Sequence, residues 1–455
     1  MVNAADRRKL RDFYQNLQDR PLWPDDPLYV DLFADEELSP SDPVDQLATT
    51  IEFAALESTQ LFSGHRGTGK STQLRRLKRR LEQDPSYKVV LCDMEDYLPM
   101  ADAVDVVDFL LGAAGAVSEQ LRNEPELLGQ DGLKSYWERF GDWLKSQRIA
   151  VDALGLSAGV GVGDKRQGVG ASAGVDVKVM LKSDPVFRQR VRERTKLHLG
   201  AFREEVHTFL QDALKALRAK HGQDTQLVII FDSLEHLRGT TTNAEEVATS
   251  VERLFRGHAD ALQVPYIHTV YTVPPWLRLQ AAGVGGDRYN GYVHIPCVKV
   301  RKRDGDRCQA GLDALWRIAD GRGDLTGLLG SREAFDELAL VSGGYLRDLF
   351  RLLSFIVRDA SVHGLPSKRQ ELAVQDLRNA YASFTNRDAV WLKRIAETHE
   401  VSTDAKEEVQ DLARFLDTHL VLGYRNGDDW YDVHPIIKDD VFRRAEAYAR
   451  RSDDA

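Results

Sequence analysis

Five apolar runs punctuate the first two thirds of the chain, and stretches of helical spacing separate them. TQLFS (59–63), YKVVLC (87–92), QLVIIF (226–231), VPYIHTVYTV (264–273) and YVHIPCVKV (292–300) read as strands. An unbroken apolar run such as QLVIIF suits a strand buried on both faces. After the first run, Leu74, Leu77 and Leu81 recur at helical spacing among arginines and lysines, which predicts an amphipathic helix. Strands that alternate with helices predict an α/β fold with a parallel sheet and right-handed crossovers.

Three stretches depart from this alternation. The segment LGLSAGVGVGDKRQGVGASAGVDVKVML, residues 154–181, alternates small and apolar residues around GDKRQG. It reads as a glycine-rich β-hairpin inside a helical insertion spanning about 100–222, either a decoration or a projecting edge for intermolecular pairing. Residues 309–362 are helical in pattern. From about 370 two or three helices precede two alternating strands that flank Asn426-Gly427, a hairpin signal, and this succession predicts a winged helix. The expected organisation is an N-terminal arm (1–45), a core (46–305), a helical lid (306–365) and a winged-helix-like domain (366–455).

The first run ends at Gly64-His65-Arg66-Gly67-Thr68-Gly69-Lys70-Ser71, followed by Thr72. This fits G-x-x-x-x-G-K-[ST] with a strand before it and a helix after it, the context a phosphate-binding P-loop requires. Glycines let the loop turn its N–H groups inward on phosphate oxygens, and the following helix offers its N-terminus to the same anion. Lys70 reaches the β and γ phosphates, and the Ser71 hydroxyl is a ligand for Mg²⁺. Such a loop predicts a second metal-holding carboxylate at the end of another strand, and LVIIFDSLEHL supplies Asp232. Glu235, the next carboxylate, orients the attacking water or is a solvated helix-start residue.

Bulk properties narrow the setting. With 455 residues, 42% hydrophobic and 29% charged, the chain has the composition of a soluble multidomain protein. A net charge of -10 argues against a general nucleic-acid coat, although a local basic face fits within it. Cys92, Cys297 and Cys308 form neither a disulfide framework nor a metal motif. The N-terminus shows no apolar signal segment, and no stretch is long and apolar enough for a membrane span, so a cytoplasmic protein is expected.

The order of these motifs resembles the AAA+ and STAND branch of P-loop ATPases, over roughly residues 45–445. The resemblance implies a three-layer P-loop NTPase sheet, a helical lid, a C-terminal winged helix, and ATP with Mg²⁺ as cofactors. It implies a sensor-1 role for Thr272, which otherwise is a strand-end threonine. It implies a sensor-2 role for Arg347 in SGGYLRDLFRLL, aimed at the phosphates, and a trans-acting arginine finger at Arg288, otherwise a loop arginine without such a role. His434, in the wing, resembles the histidine by which some STAND proteins sense ADP. Two departures stand out. Asp-Ser-Leu-Glu replaces the adjacent Asp-Glu of motors, and Gly344-Tyr345-Leu346-Arg347 replaces the Gly-x-Pro of STAND proteins.

The resemblance implies a slow ATPase switch that assembles with itself or with a separate effector or regulatory protein, as in bacterial anti-phage systems. Two alternatives are a DNA-associated initiator- or transposition-type regulator and a nucleotide-stabilised scaffold without turnover. Residues 366–455 carry 14 basic and 18 acidic side chains, a net of -4, which disfavours nucleic acid as the winged helix's partner.

Overall fold

The computed structural model describes residues 4–35, 37–38, 41–129, 132–147, 177–240, 242–280, 288–381, 384–401 and 406–453. They form two units, one of residues 44–63 and 74–293, the other of residues 1–43, 64–73 and 294–455.

The first unit is built on a five-stranded sheet, β1 (Ser58–Gly64), β2 (Tyr87–Asp93), β3 (Gln226–Asp232), β4 (His268–Val273) and β5 (Gly291–Ile295), in the order β2-β3-β4-β1-β5. β1 pairs with β4, β4 with β3 and β3 with β2, all parallel. The α/β fold expected from the apolar runs is present, a five-stranded sheet with parallel pairing and the glycine loop directly after β1. Two strands are shorter than their apolar runs. β5 stops at Ile295 because Pro296 has no N–H to extend a ladder, and β4 begins only at His268.

The helix Val106–Asn123 follows β2 and opens with a capping box between Asp105 and Asp108. Its Phe109 ring centroid lies 5.9 Å from those of both Phe231 on β3 and Tyr271 on β4. The helices Tyr136–Ser146 and Leu199–His221 join through aromatic contacts, among them Tyr136 to Phe209 at 4.8 Å. The glycine-rich segment expected as a hairpin lies outside the described residues up to 176. Residues 177–183, whose first five belong to that stretch, are helical, with Val177 and Leu181 buried one turn apart.

In the second unit the arm helix Ala4–Asn16 packs Leu10 and Phe13 inward. Asn16 Nδ2 donates to the Arg322 carbonyl at 3.0 Å. The lid includes Gln309–Asp320, Arg332–Val341 and Leu346–His363. The winged helix contains Asn386–Thr398, Lys406–Asp417, the antiparallel hairpin β6 (Val421–Asn426) and β7 (Asp428–Val433), and Pro435–Asp453. The hairpin turns at Gly427, whose φ of +92° a side chain rarely adopts. No helix among the described residues is long and apolar enough to cross a membrane.

Candidate functional site

Residues 64–73 belong to the same unit as the lid and the winged helix. Gly67 and Gly69 take φ values of +86° and +92°, the left-handed conformation that turns the loop's N–H groups to one side. The helix Lys70–Leu81 starts at the loop's end, with the Gln73 N–H on the Gly69 carbonyl at 3.1 Å. The Lys70 ammonium is buried and donates to the carbonyls of Gly64 (3.0 Å) and His65 (2.8 Å). The Thr68 hydroxyl closes the turn on the His65 carbonyl at 2.8 Å. Thr72 Oγ1 accepts the N–H of Leu22 from the arm at 3.1 Å, whereas Ser71 is part-exposed.

Arg347 stands at the start of the lid helix, over the loop. A Cβ built on Gly67 would fall 2.9 Å from Arg347 Nε. The same Nε donates to Asp19 Oδ2 of the arm at 2.8 Å, and Nη2 bonds the same oxygen. Asp19 and its ion pair with Arg347 were not foreseen. The two residues are 328 positions apart, and no local pattern marks Asp19.

The winged helix grips the loop through His65, a motif position that the P-loop pattern leaves open. The Gly423 N–H of β6 donates to His65 Nε2 at 3.1 Å. With Nε2 accepting, Nδ1 carries the proton and faces the Leu416 carbonyl at 3.3 Å. Burial, with His294 and Lys70 nearby, pushes the imidazole down to about 3, so the ring is neutral at pH 7. Tyr345 donates its hydroxyl hydrogen to the Arg66 carbonyl, and His419 stacks on the Tyr345 ring with centroids 4.7 Å apart. Thus lid and wing hold consecutive loop residues.

His434 is spent on the lid and reaches no solvent. Its Nδ1 accepts the Ile436 N–H at 3.2 Å, its Nε2 lies 3.2 Å from Asp348 Oδ2, and its ring stacks on Tyr381. Burial raises the Asp348 carboxyl, but His434 and the Tyr381 hydroxyl at 2.6 Å outweigh it and leave it lowered. His434, for which the resemblance implies a role in sensing ADP, contacts Tyr381 and Asp348, the residue that follows Arg347.

An apolar recess beside Thr68 is lined by Leu32 and Phe33 of the arm, Pro296 and Val298 after β5, and Leu346 of the lid. Its volume, about 30 Å³, is that of about one water molecule. The arm's share in such a recess was not foreseen, since Leu32 and Phe33 lie in a short apolar patch without periodicity.

In the sheet unit, parallel pairing brings the C-terminal ends of β1, β3 and β4 to one edge. Asp232 ends β3 there, buried, with Oδ1 accepting the Ser233 N–H at 2.8 Å. Ser233 takes a left-handed φ of 69°, which turns the chain into the short helix Leu234–His236. Glu235 in that helix is buried, its Oε1 3.6 Å from His236 Nε2. It is therefore not the solvated helix-start residue that its sequence position also allowed. Thr272 at the end of β4 is fully buried, and its hydroxyl accepts the Leu234 N–H at 2.9 Å. The hydroxyl thus braces the turn that carries Glu235. Register also sets Asp93 beside Asp232, a second strand-end carboxylate that the pattern YKVVLCD could have flagged. Arg288 is exposed on the chain between β4 and β5, and its carbonyl accepts from Gln263.

No family model matches the chain, and no curated protein matches it. It is similar to solved structures of the Aeropyrum pernix ORC2 protein. The ADP form has a TM-score of 0.44 at 12% identity, covering 97% of this chain and 98% of that one. The ADPNP–ADP complexes have a TM-score of 0.41 at 11% identity, covering 93% and 98%. Cdc6p from Pyrobaculum aerophilum has a TM-score of 0.32 at 11% identity, covering 89% and 93%. Likenesses this distant bear on no residue's role.

Proposed function

We propose that the chain is a slow, Mg²⁺-dependent ATPase of the AAA+ type, a switch whose lid and winged helix follow the nucleotide. The observation that carries this is the placement of Arg347 over Gly67, within a loop that already holds the Lys70 ammonium. Two cations, one on the loop and one from the helix above it, beside a glycine loop of the phosphate-binding pattern suit a polyphosphate.

Lys70 neutralises the β and γ phosphates, and Arg347 distinguishes a nucleotide with a γ-phosphate from one without. Ser71 and Asp232 are each oxygen donors of the kind that suits a hard cation such as Mg²⁺, which when bound would offset charge on phosphate oxygens. Glu235, in a turn braced by Thr272, orients the attacking water. Burial in that turn is what such a group needs to hold one position. Because His65 and Arg66 of the loop are held by the wing and by Tyr345, a shift of the loop on nucleotide binding reaches the winged helix directly. The exposed Arg288 serves a neighbouring copy, which makes self-assembly part of the cycle.

Phosphate release by the wild type, Lys70→Ala and Glu235→Gln tests this reading. Slow release by the wild type, none by Lys70→Ala, and retained ATP binding without release by Glu235→Gln support it. Equal release by wild type and Lys70→Ala overturns it, and binding without release by the wild type leaves the scaffold alternative.

A further inference from the structure

The arm helix Ala4–Asn16 and the lid helix Leu346–His363 enclose a groove of about 460 Å³. Arg7, Arg8, Arg11 and Tyr14 line it from the arm, and Arg358 lines it from the lid, over a floor of Leu10 and Val357. Among the described residues no carboxylate lines it. Arg7, Arg8 and Arg358 form no ion pair with a described residue, and Arg11 makes only a loose contact, 3.8 Å, with the exposed Asp12.

This arrangement works against the helix that carries it. Arg7 and Arg11 are like charges one turn apart. Arg7 stands at the end of the helix's first turn, where the backbone dipole disfavours cations. Among the described residues Asp6 in the first turn and Asp12, one turn after Arg8, offset these costs in part, and the outward-facing guanidiniums stay available to a ligand.

We propose that this groove binds single-stranded nucleic acid. Guanidinium forks match phosphate oxygens in geometry and charge. Tyr14, half-buried, lines the groove with an aromatic ring on which a base could stack. A cationic groove with an aromatic platform is the general means of holding a single strand. The apolar floor favours this ligand over an acidic peptide, whose carboxylates would gain nothing from Leu10 and Val357. The groove's volume suits one nucleotide-sized unit against the floor. The charge of -10 describes the chain as a whole. It leaves this local cluster in place and repels a strand from the rest of the surface. The proposal stands apart from the ATPase reading, because no groove residue belongs to the phosphate loop.

The test uses the full chain and a labelled oligothymidylate of about 16 nucleotides, followed by fluorescence anisotropy. Affinity is read between about 50 and 200 mM salt, where each phosphate contact contributes a slope of about 0.7. The wild type should bind with a steep salt dependence. Arg7→Glu/Arg11→Glu should weaken binding by tenfold or more and flatten the slope by about 1.4, the share of two contacts. Arg358→Glu should act in the same direction from the opposite wall. Tyr14→Ala should cost about tenfold with an unchanged slope, the mark of lost stacking. ATP binding by each variant checks that the fold is intact. Wild-type affinity and slope in Arg7→Glu/Arg11→Glu would overturn the proposal, as would absence of binding by the wild type at low salt. Displacement of the strand by a polyglutamate of similar length and equal charge would instead assign the groove to an acidic protein segment.

Discussion

Arg347 lies against Gly67 so closely that a methyl group on the glycine would stand 2.9 Å from the guanidinium Nε. Gly67 also takes a φ of +86°. Both constraints act on one residue of the phosphate loop, so Gly67→Ala should strain the backbone and displace Arg347 together. A left-handed non-glycine residue costs about 1–2 kcal/mol. ATP affinity of Gly67→Ala should therefore fall by about tenfold or more, measured by titration calorimetry, with little change in the melting of the sheet unit.

Asp19 holds Arg347 from the other side. Its carboxylate takes up donors of the guanidinium and repels a phosphate brought beside it. Asp19→Asn should tighten ATP binding by about two- to fivefold, the scale of a part-exposed ion pair. The gain should shrink at high salt. Weaker binding in Asp19→Asn would mean that the carboxylate aligns the arginine rather than competing for it.

His65 gives the loop a pH dependence of definite sign. Its folded-state value, about 3, lies below the ordinary 6.5. The stability it contributes is fully present above about 6.5 and is lost as pH falls toward 3. From pH 7 to pH 5 the loss from this one ring is about 2 kcal/mol. His65→Gln should be less stable at pH 7 and should show a shallower decline toward pH 5 in urea unfolding. His268, pushed down to about 4 by burial, declines in the same direction and stays in both proteins as the common background.

His434→Leu separates two roles for the wing histidine. Its ring sits 3.2 Å from the buried Asp348 carboxylate. Losing one contact of a carboxylate that keeps the Tyr381 hydroxyl and Arg351 costs about 1.5–3 kcal/mol. Urea unfolding should report this loss, and ADP affinity should change only as far as Arg347, the preceding residue, is disturbed.

The sequence made the glycine loop, the strand that ends at Asp232 and the Asn426-Gly427 turn legible because each depends on neighbours a few residues away. Glycine at left-handed positions, a strand-end carboxylate and a two-residue turn carry their physics locally. The contacts that define the second unit were not legible. His65 meets Gly423 across 358 positions and Arg347 meets Asp19 across 328. Neither pair leaves a periodic trace. The overlong fifth run failed for a local reason, since Pro296 stops the ladder inside an otherwise apolar stretch. The helix at 177–183 was hidden by the glycine-rich pattern that precedes it.

The account rests on Arg347 reading the nucleotide from above the loop. Equilibrium titration of ATP and of ADP into the wild type and Arg347→Ala tests this most directly. The account predicts that Arg347→Ala loses about tenfold or more in ATP affinity and clearly less in ADP affinity, the difference being a charge-assisted contact to the γ-phosphate. Equal affinities of the two proteins for both nucleotides would contradict it.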